Sequence, residues 1–282
     1  MTTVTSTQIW VKQEKINDTQ VVDKILSTND LAEDEVLLKT DSFGFSANNI
    51  TYAALGFTMG YWGFFPADEG YGIGPVWGFA TVVASNHADI KAGEKLFGYL
   101  PMVSHWIIKA GKVAPHGFSD IHENRKSISP VYDQYLRCAA DPGYDASREA
   151  WQLNFRPLFM TSFVLDDFVD EFSKGESLLL SSASSKTALG TALGDKLSKV
   201  TLIGATDWKA EQKPNKKALD AEIFFAPARV KQRQQEWGHE AFLAKYAKAW
   251  QGFAGKVQDT FFEQKHTGSQ QIAALYSDTL NG

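Results

Sequence analysis

The pattern of apolar residues changes near residue 145, and this change limits the folds open to the chain. Before it, short apolar or alternating runs such as TQIWVKQ, DEVLLKTDSFGFS and PVWGFATVVASN are separated by Gly and Pro. Several short strands with regular turn signals favour a barrel or a sandwich over parallel βαβ units. We therefore predict a mainly β first domain over residues 1–145.

Residues 146–282 carry longer apolar spacings together with a few short strands. DASREAWQLNFRPLFMTSFVLDDFVDEF predicts helix that ends at Lys174-Gly175, where glycine can take the left-handed conformation. SLLLSS and SKVTLIGAT predict strands on either side of a helix of small residues, and DAEIFFAPARV offers a third strand. Two further helical regions follow, the first with a break at glycine. The fold class predicted for the whole chain is therefore α/β plus β.

Composition and charge exclude several classes of protein. The 282 residues are 44% hydrophobic, enough for a large core, and the net charge of −5 gives no general attraction for nucleic acid or an anionic membrane. The single cysteine, Cys138, permits no intramolecular disulfide, and from the sequence pattern we expect no targeting or membrane-spanning segment. We expect a cytoplasmic protein with a small-molecule ligand. The sequence leaves a homodimer open.

The stretch ESLLLSSASSKTALGTALG, residues 176–194, joins a buried-type strand to a helix through small polar residues. A dinucleotide fold carries G-x-G-x-x-G at such a turn, whereas this chain has Ala183, Ser185 and Ala188. A phosphate loop of the type G-x-x-x-x-G-K-S/T matches poorly, because both glycines are absent. Two interpretations stay open, a serine-capped helix and a phosphate-binding turn. The candidate phosphate-binding residues are Ser182, Ser184, Ser185, Lys186 and Thr187.

Several segments resemble known families. GPVWGFATVVASNHADIKAGEKLFGYLP and VLLKTDSFGFSANNITYAALG are similar to the barrel segments of the medium-chain dehydrogenase/reductase superfamily. SSASSKTALG, GATDW and FFAPARVKQRQQEWG more closely resemble a branch of it, the DUF2855 family. The resemblance implies a GroES-like β-barrel domain over residues 1–145 and a shortened Rossmann-like domain with C-terminal helices over residues 146–282. It also implies hydride transfer from NADPH or NADH to a carbonyl or an activated double bond, with NADPH as the expected cofactor.

The resemblance further implies a zinc-independent protein. Ser46 and Asn49 stand where zinc-dependent relatives carry a ligand cysteine and an acidic residue, and Gly78-Phe79-Ala80 replaces Gly-His-Glu. Asn49 and Tyr52 are then the candidate catalytic residues, as donors to a substrate oxygen. Tyr52 lies in an aromatic, glycine-rich stretch, residues 50–77, that either lines a pocket for a flat substrate or packs on the barrel.

Two departures from the superfamily favour an alternative function. The second domain has room for about three strands, and no Asp or Glu ends the strand SKVTLIGAT to hold a ribose hydroxyl. The alternative is a non-catalytic binding or structural protein with an incomplete nucleotide domain. In this chain Arg229 is expected to form a salt bridge rather than a phosphate contact.

Overall fold

The computed structural model describes residues 3–125, 130–173, 178–180, 185–192, 200–202, 224, 226–257 and 265–281. The chain divides into two compact units. The first unit comprises residues 1–153 together with 263–282, and the second comprises residues 154–262. The division predicted from the sequence, at residue 145, stays a prediction.

The described strands are β1 Thr3–Lys12, β2 Thr19–Ser27, β3 Glu35–Gly44, β4 Tyr71–Ile73, β5 Pro75–Ser85, β6 Lys95–Pro101, β7 His105–Ala114, β8 Gly117–Asp120, β9 Gln134–Arg137, β10 Leu178–Leu180 and β11 Val200–Leu202. The described α-helices are α1 Ala47–Ala54, α2 Glu149–Ser173, α3 Lys186–Ala192, α4 Ala226–Trp237, α5 His239–Lys256 and α6 Ser269–Asn281. Short 3-10 turns lie at Tyr61–Gly63, Glu123–Arg125, Pro130–Tyr132, Cys138–Ala140 and Ala146–Arg148.

Six strands of the first unit close into a barrel in the order β3-β5-β6-β9-β8-β7, as the alternating runs predicted. The pairings within it are antiparallel. Gly78 lies where β5 passes β3 and β6 closely, because a Cβ there would stand 2.7 Å from the Ser42 carbonyl oxygen. The second sheet has the order β2-β1-β4. The core of the unit is built from inward-facing aliphatic and aromatic side chains, among them Val36, Leu38, Phe64, Val82, Leu96, Tyr99 and Ile108.

Helix α1 follows β3 in sequence and was not predicted from the sequence patterns. Ser46 precedes it in an extended conformation, and its backbone N–H donates to Asn49 Oδ1 at 2.8 Å. This bond satisfies a backbone donor at the entry to the helix, as in a capping box. The capping box was not predicted from the sequence, because asparagine, rather than glutamate or glutamine, holds the third helical position.

Helix α6 belongs to the first unit although it follows the whole of the second unit in sequence. Tyr276 is fully buried, and its ring lies 5.6 Å from that of Phe45. The hydroxyl of Thr19, at the start of β2, lies 3.1 Å from that of Ser277. The predicted helix SQQIAALYSDTL is therefore present and completes the core beside β1 and β2.

In the second unit, β10 and β11 pair in parallel, and helix α3 lies between them in sequence. This is the strand–helix–strand order that the sequence predicted. Gly238 separates α4 from α5 with φ 83°, the left-handed conformation that glycine adopts without strain. The third predicted strand begins at residues outside the described part of the chain, and its second half is the start of α4.

Arg229 lies on α4 and forms the salt bridge expected from the sequence. It is 5% exposed, and its Nε donates to Asp167 Oδ2 at 2.8 Å. Its Nη2 lies 2.5 Å from Glu171 Oε2, while Arg233 Nε reaches the same Asp167 oxygen at 2.7 Å. The network joins α2 to α4 within the second unit.

Candidate functional site

Four tyrosine side chains of the first unit, Tyr52, Tyr61, Tyr99 and Tyr132, form a group that we name the tyrosine cluster. Tyr52 lies on α1, Tyr61 begins a 3-10 turn, Tyr99 lies on β6, and Tyr132 ends the turn before β9. The ring centroids are 4.8 Å apart for Tyr52–Tyr61, 5.6 Å for Tyr52–Tyr99 and 4.7 Å for Tyr99–Tyr132. Barrel closure thus brings together residues that are up to 80 positions apart.

Further aromatic rings surround the tyrosine cluster. Trp77 on β5 lies 5.1 Å from Tyr99, and Phe64 lies 5.4 Å from the same ring in a perpendicular arrangement. Phe64 also contacts Tyr132 at 5.5 Å. Tyr99 is fully buried, whereas Tyr52, Tyr61, Tyr132 and Trp77 are half-buried. Half-buried rings around a buried one are suited to contact a planar ligand.

The phenols of Tyr52, Tyr99 and Tyr132 are neutral at physiological pH. Burial raises the pKa of Tyr52, and the charge that Tyr61 would carry raises it further, against opposing interactions with Trp77 and Tyr99. Burial raises the pKa of Tyr99 strongly, with added effects of Tyr52, Tyr132 and Tyr61. The pKa of Tyr132 is likewise raised by burial and by Tyr61 and Tyr52. These three hydroxyls therefore keep their protons and act as neutral hydrogen-bond donors.

The hydroxyl of Tyr99 is the most unusual atom of the cluster. It is buried, and no described residue meets it in hydrogen-bonding geometry, although the Tyr52 hydroxyl is near enough to affect its pKa. Leaving a buried hydroxyl unbonded costs about 1–3 kcal/mol in proteins, so such atoms often mark a site that a ligand or water completes. We take it as a candidate ligand-binding atom.

The connection between β8 and β9 fixes the loop that carries Tyr61. Arg125 is buried, its Nε donates to Asp120 Oδ2 at 2.9 Å, and its Nη1 donates to the Phe64 carbonyl oxygen at 2.5 Å. Its guanidinium also lies 4.2 Å from the centroid of Phe65. The side chain of Asn124 donates to the Phe64 carbonyl as well, at 3.0 Å. These bonds anchor Phe64 and the turn beside it.

Asn49, one of the two predicted catalytic residues, lies at the edge of this region and is 5% exposed. Its Oδ1 accepts from the Ser46 N–H at 2.8 Å, and its Nδ2 donates to the Pro75 carbonyl oxygen at 2.9 Å. The amide therefore binds backbone on both sides and joins α1 to the start of β5. Tyr52, the other predicted residue, stands one helical turn further along α1 and belongs to the tyrosine cluster.

Sequence reasoning had noted Tyr61, Phe64 and Trp77 as part of an aromatic stretch but overlooked Tyr99 and Tyr132. The available signal was a tyrosine within the otherwise apolar strand KLFGYLP, since a buried tyrosine usually requires a partner for its hydroxyl. No local pattern marked Tyr132, because its position depends on the pairing of β8 with β9.

The predicted phosphate-binding residues fall in the second unit. Ser182 and Ser184 lie outside the described residues. Ser185 precedes α3, and its Oγ accepts from the Ala188 N–H at 3.1 Å, which is the predicted serine cap. Lys186 and Thr187 open the helix.

Within the second unit, the side chain of Lys186 contacts residues of α2. Its Nζ donates to Asn154 Oδ1 at 3.2 Å and lies 5.9 Å from the centroid of Phe155. The carbonyl oxygen of Thr187 accepts from Ser162 Oγ at 2.8 Å. Gly190 permits this approach, because a Cβ there would stand 2.6 Å from Ser162 Oγ.

A closed six-stranded barrel in one unit and a parallel strand–helix–strand unit in the other define the class of fold, a β-barrel combined with an α/β region. Two similar solved structures contain Etr1p, a 2-enoyl thioester reductase. The mitochondrial 2-enoyl thioester reductase Etr1p/Etr2p heterodimer from Candida tropicalis has a TM-score of 0.53 at 12% identity, covering 99% of this chain and 97% of that chain. A variant of Etr1p in complex with NADP and crotonyl-CoA has a TM-score of 0.51 at 10% identity, with the same coverage.

A third structure, human synaptic vesicle membrane protein VAT-1 homolog-like protein, has a TM-score of 0.43 at 12% identity, and this chain spans 56% of it. At these identities the first two likenesses show the fold. No curated protein matches the sequence significantly.

The sequence itself matches the model of one family, "Protein of unknown function (DUF2855)", over residues 43–194 and 191–282. The chain belongs to the DUF2855 family, as its sequence motifs predicted. Among the helices that the structure describes, none has the length and apolar character needed to cross a lipid bilayer.

Proposed function

We propose that this protein is a zinc-independent, NADPH-dependent reductase that acts on a carbonyl or a quinone- or enone-type substrate. In this proposal the first unit is a GroES-like barrel and the second a shortened Rossmann-like domain. The observation that carries the proposal is the parallel β10–α3–β11 unit, whose strand-to-helix turn presents Ser185 and Lys186. Support comes from the likeness in fold, over 99% of the chain, to a reductase in complex with NADP.

The residues at the β10–α3 turn fit a diphosphate in chemical character. Lys186 brings an ammonium group, for which a phosphate would compete with the amide oxygen of Asn154. The Ser185 and Thr187 hydroxyls add neutral donors, and Ser182 and Ser184 extend the same proposed set. When bound, NADPH supplies the hydride, and these residues would hold its diphosphate.

On the substrate side, the tyrosine cluster provides neutral donors for an oxygen atom. Tyr52 stays the proposed catalytic residue, because its protonated phenol can donate to an oxygen on which negative charge develops. The role of Asn49 is then to position Tyr52, since its amide ties α1 to Pro75. Donation by phenols requires no Lewis acid, which supports the zinc-independent form of the proposal.

The test is a titration of the purified protein with NADPH, followed by nicotinamide fluorescence. Lys186→Ala removes the proposed phosphate partner and should weaken binding about tenfold or more, the magnitude of a lost charge-assisted hydrogen bond. Lys248→Ala removes an exposed lysine from α5 of the same unit and serves as the matched control. A flat titration up to millimolar NADPH, or equal affinities for the two variants, would defeat the proposal.

The second candidate function is a non-catalytic binding or structural protein with an incomplete nucleotide domain. It is favoured by the extent of the parallel sheet, which has two strands among the described residues of the second unit. Heating the protein with and without NADPH separates the two candidates, because a ligand that binds the native state raises the melting temperature. A higher melting temperature in the presence of NADPH counts against this second candidate.

Assembly and location stay proposals. A homodimer is supported only by analogy with the Etr1p/Etr2p heterodimer and is tested by light scattering after size-exclusion chromatography. A cytoplasmic location is consistent with the single cysteine, Cys138, which is buried and forms no disulfide.

A further inference from the structure

We propose that the tyrosine cluster is a substrate site that selects neutral, planar carbonyl compounds and rejects anionic ones of the same shape. Tyr99 is the selecting residue, assisted by Tyr52 and Trp77. The inference deepens the proposed function and rests on it for the reaction, whereas the binding itself requires only groups of the first unit.

Several hydrogen-bond donors converge in the tyrosine cluster. The hydroxyls of Tyr52, Tyr61, Tyr99 and Tyr132 are near enough to affect one another's ionisation, and their rings form a connected set with centroids 4.7 to 6.3 Å apart. Ligand sites in proteins typically combine an aromatic lining with a few convergent polar groups. The fully buried Tyr99 hydroxyl, which has no hydrogen-bond partner among the described residues, is the group that a ligand would satisfy.

The free hydrogen-bonding capacity of the cluster is that of a donor. Burial raises the pKa values of Tyr52, Tyr99 and Tyr132, so these phenols keep their protons and can donate them. The buried Tyr99 hydroxyl has no hydrogen-bond partner among the described residues, although the Tyr52 hydroxyl lies near it. The ligand atom that matches this donor is an acceptor such as a carbonyl oxygen.

The described side chains around the tyrosine cluster carry no net charge that could pair with an anion. Among the described residues, the groups that shift the ionisation of Tyr52, Tyr99 and Tyr132 are aromatic side chains, and none of them is charged. Arg125 approaches the ring of Phe64 at 5.6 Å, but its Nε is bound to Asp120 at 2.9 Å. An anion transferred into such surroundings loses its hydration without gaining a counter-ion, which disfavours its binding strongly.

The experiment compares two probes with one conjugated skeleton, the methyl ester of 4-carboxybenzylideneacetone and the corresponding free carboxylate. Binding to the full chain is measured by isothermal titration calorimetry at pH 7.5 without NADPH. We expect the neutral ester to bind at least about tenfold more tightly than the carboxylate, because only the latter brings an unpaired charge.

Tyr99→Phe removes the buried hydroxyl and keeps the ring, and it should weaken ester binding about fivefold, the value of one neutral hydrogen bond. Tyr276→Phe is the matched control, because Tyr276 is also fully buried in the first unit with an unbonded hydroxyl but stands against Phe45, outside the cluster. This control should leave ester affinity unchanged.

Equal affinities for ester and carboxylate would overturn the inference, as would absence of ester binding at millimolar concentration or unchanged affinity in Tyr99→Phe. Ester binding that shows the expected selectivity, together with a flat NADPH titration, would support this site while refuting the proposed reductase. Failure of the site can thus be distinguished from failure of the cofactor proposal.

Discussion

Replacing Gly56 by alanine is the sharpest test of how the candidate site is held in place. A Cβ on Gly56 would stand 2.2 Å from Trp62 Nε1 and 2.4 Å from its Cε2. The benzene part of the same indole lies against a second glycine, because a Cβ of Gly72 would stand 2.3 Å from Trp62 Cε3. Trp62 is therefore packed closely on two glycines, and it follows Tyr61 of the tyrosine cluster directly in sequence.

The magnitude follows from the contacts. Van der Waals contact between carbon atoms requires about 3.5 Å, so the added methyl group, 2.4 Å from Trp62 Cε2, overlaps that atom by about 1.1 Å and forces the ring or the backbone to move. Overpacking of a buried site costs about 1–3 kcal/mol. Gly56 has no positive φ, so none of this cost comes from backbone strain. We expect Gly56→Ala to reduce the free energy of unfolding by about 2–3 kcal/mol.

The assay is equilibrium unfolding in urea, followed by near-ultraviolet circular dichroism, which reports tryptophan packing. Gly63→Ala is the matched control, because Gly63 lies in the adjoining 3-10 turn, has no positive φ and would place its Cβ in open space. Its stability should stay within about 0.5 kcal/mol of the parent protein. If the two variants unfold at the same urea concentration, the close packing of Trp62 on Gly56 is refuted.

Two further predictions concern charged groups. Burial raises the pKa of Asp133 to about 6, above the value of about 3.9 expected for an unfolded chain. Between these two pH values the folded state binds more protons than the unfolded state. The free energy of unfolding therefore falls as the pH rises from about 4 to about 6. Asp133→Asn should remove this slope in urea unfolding between pH 4 and 7, and a difference from the parent that is constant with pH would contradict it. Arg229→Met leaves the buried Asp167 with one fewer cation and should reduce the free energy of unfolding by about 3 kcal/mol. The double variant with Asp167→Leu should recover much of that loss. Additive effects in this double-mutant cycle would contradict a coupled pair.

Much of the fold could be predicted from local patterns, because the strands and most helices carry their own periodicity. The alternating run around Val36 and Leu38 and the small-residue helix after Leu180 both appear where the sequence placed them. Gly238 ends a helix as expected, yet Gly252 and Gly255 lie within α5, because packing of its apolar side, including Trp250, outweighs the low helix propensity of glycine.

The candidate site was harder to predict, since its parts meet only when the barrel closes. Tyr52 was selected from a local motif, but the partners that surround it come from β6 and from the connection before β9. Asn49 shows the opposite case, in which a residue chosen as a substrate donor has its amide bound to backbone at Ser46 and Pro75. Sequence alone identifies residue types suited to a chemistry, whereas the available lone pairs and protons depend on tertiary contacts.

The position of α6 has a consequence for how the chain acquires its structure during translation. The β strands of the first unit leave the ribosome early, but the helix that covers Phe45 is synthesised only after all of residues 154–262. Until then the surface that Tyr276 occupies is exposed to water, and such an incomplete core is prone to self-association. Nascent chains stalled before residue 269 should therefore engage chaperones through the barrel, which is the part of the protein made first.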